Sequence, residues 1–316
     1  MTSPRILLAA LTAAALMLTA AASAAAQAPP APPRFTAPAD CLTNPGCGVA
    51  LRSAYGIDPA PVFTPLSSSG GGVAALDAGS AEVAIAFSSD PALSRPDLVT
   101  LVDDRRAIGG DDRIVPVLTA KALGRSARFA ADVRRRLDAA SAVITTLQLR
   151  ALNQQVADGA RPLAVARRFV DQNGLAQGFA KARRAAPQIT VGHQDFVENL
   201  VLARIYAETL ARAGYRTKVV SVRGFRGEAL KAAARGRIGL FPDYAASLLR
   251  FLRPGASATK DVERNLAPAL RARRLVALRP APGVDTNRIV TTSRAAQAYG
   301  LAKVSDLARW WPAAAG

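Results

Sequence analysis

Beyond residue 188 the apolar positions switch regularly between a period of two and a period near 3.6. QITVG (188–192) is a short β run ending in glycine. NLVLARIYAETLARAG follows, with Leu202, Ile205, Tyr206 and Leu210 on one helical face and Gly214 as the stop. The strand TKVVSV, the helix GEALKAAARG, the strand RIGLF and the helix YAASLLRFL come next, closed by Pro254 and Gly255. Strands alternating with helices that return the chain in one direction predict a parallel, doubly wound sheet. The strands are short and apolar on both faces, as burial between helix layers requires. The fold class is α/β.

The earlier part of the chain follows the same rules. RFTAP and PVFTPLS are strands, SSGGGVAALDAG a glycine-led helix, and EVAIAFSSD and LVTLVDD two more strands. One segment echoes another. Ala75 and Leu76 lead through Gly79 to a strand ending at Phe87 with Asp90 beyond, and Ala229 and Leu230 lead through Gly236 to a strand ending at Phe241 with Asp243 beyond. Any two βα units share much of this, so the repeat is weak. It nevertheless suggests two α/β lobes, each offering the loop after a strand's carboxyl end, the edge where open α/β sheets bind ligands. Residues 120–176 read as three helices, 120–144, 145–159 and 162–174, with apolar stripes that face a core and no catalytic constellation. SSSGGG at 67–72 lacks the Gly-Lys-Ser/Thr ending of a phosphate loop and reads as a turn admitting a helix.

The first residues change the setting. Arg5 precedes an apolar stretch over 6–19, and Ala22-Ser23-Ala24 or Ala24-Ala25-Ala26 offers a cleavage site, the pattern of a secretory signal peptide over 1–26. An uncleaved N-terminal anchor is the alternative, for which the apolar core is short. A Pro-rich leader occupies 27–33. The expectation is an exported protein, periplasmic or extracellular. In an oxidising compartment Cys41 and Cys47, with five residues between them in CLTNPGC, would close a small disulfide loop, with two free thiols as the alternative.

Composition narrows the function. One histidine, His193, and two cysteines are too few for an ordinary zinc site, so no metal or other cofactor is expected. There are 41 Lys and Arg against 23 Asp and Glu, a net charge of +18, but only six of the basic residues are Lys. The arginines are spread through Ala-rich helices, and no nucleic-acid signature accompanies them. A nucleic-acid partner is therefore not expected, although attraction to an anionic surface is open.

Several stretches resemble one family. ITVGHQDFVENLVLARIYAETLARAGY, followed by EALKAAARGRIGLFPDYAASLL, is similar to the opening of the glycine betaine/choline substrate-binding proteins of ABC importers. There a strand ends in Ile-Gly-Ser-Lys-x-Phe-x-Glu, and a later segment reads Ala-Leu-x-x-Gly-x-Ile-Asp-x-Tyr-Pro-Glu-Tyr-Thr-Gly-Thr. PAPGVDTNRIVTTSRAAQAYGLAKVSDLA resembles the family's crossover strand and the Ser-Asp-Leu helix start. DCLTNPGCGVALRSAYGI, VAALDAGSAEVAIAFSSDPAL and LVTLVDDRR resemble its second lobe, including a Cys pair seen in some members, and TTLQLRALNQQVADGARPLAVARRFVDQNGL its C-terminal helices. The resemblance covers nearly all of 38–311, but the order differs, because this chain begins in the second lobe and reaches ITVGHQDF only after the Leu-Asn helices.

The resemblance implies a two-lobed periplasmic-binding-protein type II fold, circularly permuted, with the joint near 178–188. One lobe would be split between 34–115 and 290–316, the other would be continuous over 116–289, and hinge strands would lie near 114–117 and 287–291. It implies no enzyme, a small-molecule solute, an ABC permease as partner, and a monomer. Carried over by position, Tyr244 matches a cage tyrosine, Ser247 its hydroxyl partner, and Phe87 a ring in the second lobe. Asp285 matches the polar residue of the crossover. Gln194 stands at a Lys position and Asn44 at an Arg position that would hold a carboxylate. Asn287 and Asp112 stand where two more cage rings would be. Those departures suit choline or a neutral polar solute better than betaine, and an Asp could pair with an ammonium directly. His193, Asp90 and Asp243 are further ligand candidates. The same three would be the acid or base of a rival reading, a secreted hydrolase, for which no nucleophile–base spacing exists. A second rival is a secreted sensory domain with another ligand.

Overall fold

The computed structural model describes residues 31–66, 71–110, 112–124, 126–175, 177, 188–256 and 261–314. The expected signal peptide, most of the expected leader, the 67–70 part of the serine–glycine turn and the expected joint over 178–187 lie outside the described residues. Among the described residues no helix is long and apolar enough to cross a membrane.

The chain opens with β1 (Phe35–Pro38), whose Phe35 and Ala37 are fully buried. α1 (Gly48–Tyr55) follows a loop closed by the Cys41–Cys47 disulfide and stops at Gly56, which holds φ 67°. Then come β2 (Phe63–Leu66), α2 (Gly72–Asp77), β3 (Val83–Phe87) and β4 (Leu98–Thr100). A Cβ at Gly72 would fall 2.1 Å from the Ile85 carbonyl oxygen, so only glycine lets α2 start against β3.

β5 (Ile114–Thr119), buried at every position, leads to α3 (Ala120–Leu123), α4 (Ala127–Ala142), α5 (Thr146–Ala157) and α6 (Pro162–Gln172). The sequence predicts one helix over 120–144. The chain breaks instead at Gly124, and Ser126 restarts it by accepting the Phe129 N–H at 3.1 Å, an N-cap within the expected helix. β6 (Ile189–His193), α7 (Val197–Arg212), β7 (Thr217–Ser221), α8 (Arg226–Ala234), β8 (Leu240–Tyr244), α9 (Ala245–Leu252), α10 (Val262–Arg271) and β9 (Leu275–Ala277) complete this part. β10 (Asn287–Thr292) and α11 (Ser293–Tyr299) end the chain with a 3₁₀ turn over Val304–Arg309.

These strands form two five-stranded sheets, ordered β2-β1-β3-β10-β4 and β7-β6-β8-β5-β9. Neither is purely parallel, which corrects the doubly wound expectation. β1 runs parallel to β2 and β3, and β6 to β7 and β8. β10 runs antiparallel to β3 and β4, and β5 to β8 and β9. The reason is connectivity. β5 and β10 are the strands by which the chain passes from one sheet to the other, so no βαβ crossover fixes their direction.

β5 is packed on both faces. Ile114 and Leu118 join a core with Leu137, Val165 and Leu202, while Val115 and Val117 join another with Phe241, Leu248 and Leu266. Its register with β8 places Pro116 opposite Pro242. Neither has an N–H to leave unpaired, and their carbonyls accept elsewhere, from the Leu278 N–H at 3.0 Å and from Asn199 Nδ2 at 3.1 Å. β8 starts and ends three residues later than the sequence predicts, because Gly236 (φ 69°) ends α8 and leaves 237–239 as a loop. Asp243 and Tyr244 are therefore strand residues.

The Cys41–Cys47 disulfide forms, with Cα atoms 5.2 Å apart. Replacing both cysteines by serine should cost roughly 2 kcal/mol, the loop-closure value for so short a ring. Urea unfolding should show a lower midpoint at unchanged slope.

Candidate ligand-binding site

A cavity of about 760 Å³ opens where the turn after β3 meets α5, the start of α7, α8 and the β8–α9 junction. Its walls carry the rings of Phe87, Phe196, Phe225 and Tyr244 and the carboxyls of Asp40, Asp90, Asp112, Glu198 and Asp285. A smaller chamber of about 230 Å³ adjoins it. Asp40, Phe87, Asp112, Ser247 and Asp285 border both, and Asn44, Asn287, Arg250 and the disulfide close the smaller one. A third cavity, of about 910 Å³, lies at the other end of the second sheet beside Gln188, Arg235, Arg273 and Arg274. Among its described walls there is no ring and no carboxyl.

Asn199, buried in α7, positions the entrance of the main cavity. Its Oδ1 accepts the Gln194 N–H at 2.9 Å while its Nδ2 donates to the Pro242 carbonyl, tying the β6–α7 loop to β8. Tyr244 Oη donates to Glu198 Oε1 at 2.6 Å, and its ring lies 6.1 Å from that of Phe196, nearly parallel to it. Asn153 Nδ2 donates to Glu198 Oε2 at 2.7 Å and to the Ser89 carbonyl at 3.1 Å. Ser89 Oγ donates to Asp285 Oδ1 at 2.8 Å. A polar chain thus runs from β8 through α7 and α5 to the turn after β3. Ser247 donates to Asp112 from both its N–H, at 2.9 Å, and its hydroxyl.

The cavity is acidic in a basic protein. Five carboxyls line it against one guanidinium, Arg226, and that group is spent on the fully buried Asp243, with Nη2 2.7 Å and Nε 2.9 Å from Oδ1. Among the described residues neither Asp285 nor Asp112 has an ion-pair partner. Burial, then the charges of Glu198 and Asp112, hold the Asp285 carboxyl proton well above the ordinary carboxylate range. Burial raises Asp112 as well, against the opposing Ser247 hydrogen bonds. Burial and Glu198 push the Tyr244 phenol well above its usual value, so it stays a donor. Two further buried polar atoms of this wall, Gln194 Nε2 and Asn153 Oδ1, have no hydrogen-bond partner among the described residues.

Of the residues singled out in the sequence, Tyr244, Phe87, Gln194, Ser247, Asp285 and Asp90 line the main cavity, and Asn44 and Asn287 the smaller chamber. Asp90 also caps its own turn, accepting the Ala92 N–H at 2.9 Å. Asn287 donates to the Gly46 carbonyl at 3.0 Å, and Asn44 Oδ1 accepts the Gly46 N–H at 2.9 Å. Two lie off both chambers. His193 Nδ1 is turned to the Gln194 carbonyl at 2.8 Å, and Asp243 is sealed behind Arg226. Sequence reasoning missed Glu198, Phe196, Phe225, Arg226 and Asn153. Glu198 and Phe196 stand inside the QDFVEN stretch, so the motif held their signal. Among the described residues no group of three or more His, Cys, Asp or Glu is placed to hold a metal ion.

This is a solute-binding geometry, with rings and carboxyls around an open cavity. The profile of the substrate binding domain of ABC-type glycine betaine transport systems (OpuAC) matches residues 22–172 and 187–312, and the chain belongs to that family. The family binds solutes and performs no covalent chemistry. No curated protein matches the chain. Among solved structures, apo YehZ from Escherichia coli is 12% identical with a TM-score of 0.37, over 88% of this chain and 85% of its own. The phosphate-binding protein of a phosphate ABC transporter from Streptococcus pneumoniae TIGR4 is 10% identical with a TM-score of 0.42, over 88% and 95%. NikA from Brucella suis, in complex with Fe(III)-EDTA, is 13% identical with a TM-score of 0.37, over 69% and 54%. The chain thus spans about half the length of NikA.

Proposed function

We propose that the protein is the exported solute-binding component of an ABC importer and captures a small quaternary-ammonium compatible solute, choline-like rather than betaine-like. The observation that carries this reading is Asp285, a carboxyl without a cation partner, set with Asp112 among the rings of Phe87 and Tyr244. A quaternary nitrogen fits such a wall. Ring faces attract it through their quadrupoles, and a carboxylate supplies the countercharge. Gln194, an uncharged donor where the family has Lys, leaves that countercharge uncancelled.

The lobes are proposed as 34–115 with 290–316, and 116–289, turning about 114–117 and 287–291. β5 and β10, the only strands joining the sheets among the described residues, support this. Closure about two such strands would enclose the solute and present the closed form to the permease. The break in the family match at 172–187 brackets the proposed joint of a circular permutation.

The test is a thermal-shift panel of choline, glycine betaine, carnitine, ectoine and a polyol. A solute at a hundredfold excess over its Kd stabilises by about 2.7 kcal/mol, a rise of several degrees. Choline should produce it and the polyol should not. Tyr244→Ala should abolish the response. Melting temperatures unmoved by every ammonium compound would refute the reading.

A further inference from the structure

The 910 Å³ cavity lies at the edge of the second sheet remote from the solute cavity, where β6 and β8 begin and β5 ends. Three connections bring cations to it. Lys121 enters on α3 directly after β5, Arg235 follows the last residue of α8, and Arg273 and Arg274 lie in the turn between α10 and β9. That turn is fixed to β5, because the Arg274 carbonyl accepts the Ala120 N–H at 2.8 Å. α3 is seated against the start of β8, where a Cβ on Gly239 would lie 3.1 Å from that of Ala122. All four cations are exposed, and none makes an ion pair among the described residues. Arginines elsewhere are matched by acids, as Arg95 is by Asp77 at 2.8 Å and Asp97 at 2.6 Å, but no carboxyl stands on the described walls here. Between the cations the wall is apolar, with Ala122 and the buried Ala233, Ile238 and Leu275.

We infer that this cavity receives the phosphodiester headgroup of an anionic phospholipid, so that the protein rests on a membrane face by the edge remote from its solute cavity. The inference does not depend on which solute the other cavity takes. Its chemistry has two halves. Guanidinium groups meet phosphate oxygens with paired N–H donors, and the Lys121 ammonium adds a point charge. The apolar wall gives the glycerol and the first methylenes of the lipid a surface away from water. A free phosphate ion would use the first half only, and the space is far larger than one such ion. The net charge of +18 draws the chain toward an anionic surface, and this edge offers that surface four cations with no internal partner.

Co-sedimentation with vesicles at low salt tests this. The protein should sediment with vesicles of equal parts phosphatidylglycerol and phosphatidylcholine and stay in solution with phosphatidylcholine alone. The triple variant Lys121→Gln, Arg235→Gln, Arg273→Gln should bind roughly 100-fold more weakly, since each cation near an anionic surface is worth about fivefold. The control variant Arg106→Gln, Arg161→Gln, Arg294→Gln removes the same charge from exposed positions off this cavity and should lose less than about threefold. Equal losses in the two variants would make the attraction a property of the whole charge and overturn the inference. Glycerol 3-phosphate titrated into the protein alone should give no saturable heat. Saturable binding of it without sedimentation would assign the cavity to a soluble phosphate and overturn the membrane contact. Cations just past the ends of α8 and α10 also suit those helix dipoles. A first variant that melts earlier yet sediments like the wild type would leave only that role.

Discussion

Asp285→Asn is expected to make the empty protein more stable at pH 7.5 and to weaken choline binding by about 30- to 100-fold. Both effects come from one carboxyl. In the empty cavity Asp285 has a hydroxyl donor in Ser89 but no cation, and Glu198 and Asp112 repel its charge. Asparagine keeps the acceptor for Ser89 and removes the charge, which should return about 1–3 kcal/mol, the usual cost of an uncompensated buried polar group. The ligand loses its countercharge, hence the drop in affinity.

The pH dependence follows with a definite sign. A carboxyl whose proton is held more tightly in the folded than in the unfolded chain stabilises the fold fully below the ordinary aspartate value. That stability is lost as pH climbs from the unfolded value through the raised folded one. Choline competes with the same proton, so its affinity should rise over the same window. In Asp285→Asn both trends should flatten. They should not vanish, because Asp112 is raised in the same direction. Titrations at pH 5, 6.5 and 8 would show it, and an affinity that falls with pH would contradict the assignment.

The largest loss of stability should come from Arg226. Its guanidinium binds the fully buried Asp243 through two nitrogens, and Asp243 Oδ1 also accepts the Tyr244 N–H at 2.8 Å. Arg226→Ala would strand that charge at the end of β8, at a cost of about 3–5 kcal/mol. Asp243→Asn in the same chain should recover a large part, since the stranded group is then neutral. Denaturant midpoints of the two single variants and the double variant measure the coupling. Losses that simply add would mean the pair is not a unit. The position of Arg226 on the cavity wall makes a further consequence readable: as Asp243 is pinned, so is Tyr244 beside it, and choline binding should fall along with stability.

Much of this was readable in the chain because each element carried its own period and punctuation. Gly214, Gly236 and Gly300 end helices where the apolar stripes stop, and the run from Ile189 to Glu198 placed a strand end and a helix start at the cavity. What failed depended on contacts distant in sequence. The direction of β5 and β10 is set by which sheet the chain enters, and no local pattern encodes that. α10 carries an unbroken stripe of Val262, Leu266, Ala269 and Leu270, but Pro268 inside it argues locally against a helix, and the three-residue delay of β8 hid that Asp243 is a strand residue sealed by Arg226. Glu198 was passed over because a carboxyl in the first turn of a helix ordinarily serves the helix dipole. Only the fold shows it reaching Tyr244 and Asn153. Lys121, Arg235, Arg273 and Arg274 were four cations among many until the fold gathered them.

A crystal structure of the protein grown with choline would decide where the cation rests. The nitrogen should lie within about 6 Å of the Tyr244 and Phe87 ring centroids, the reach of a cation–π contact, and on the same side as the Asp285 carboxylate. Choline bound elsewhere, or bound here with its hydroxyl toward Asp285 and its nitrogen away from both rings, would contradict the site.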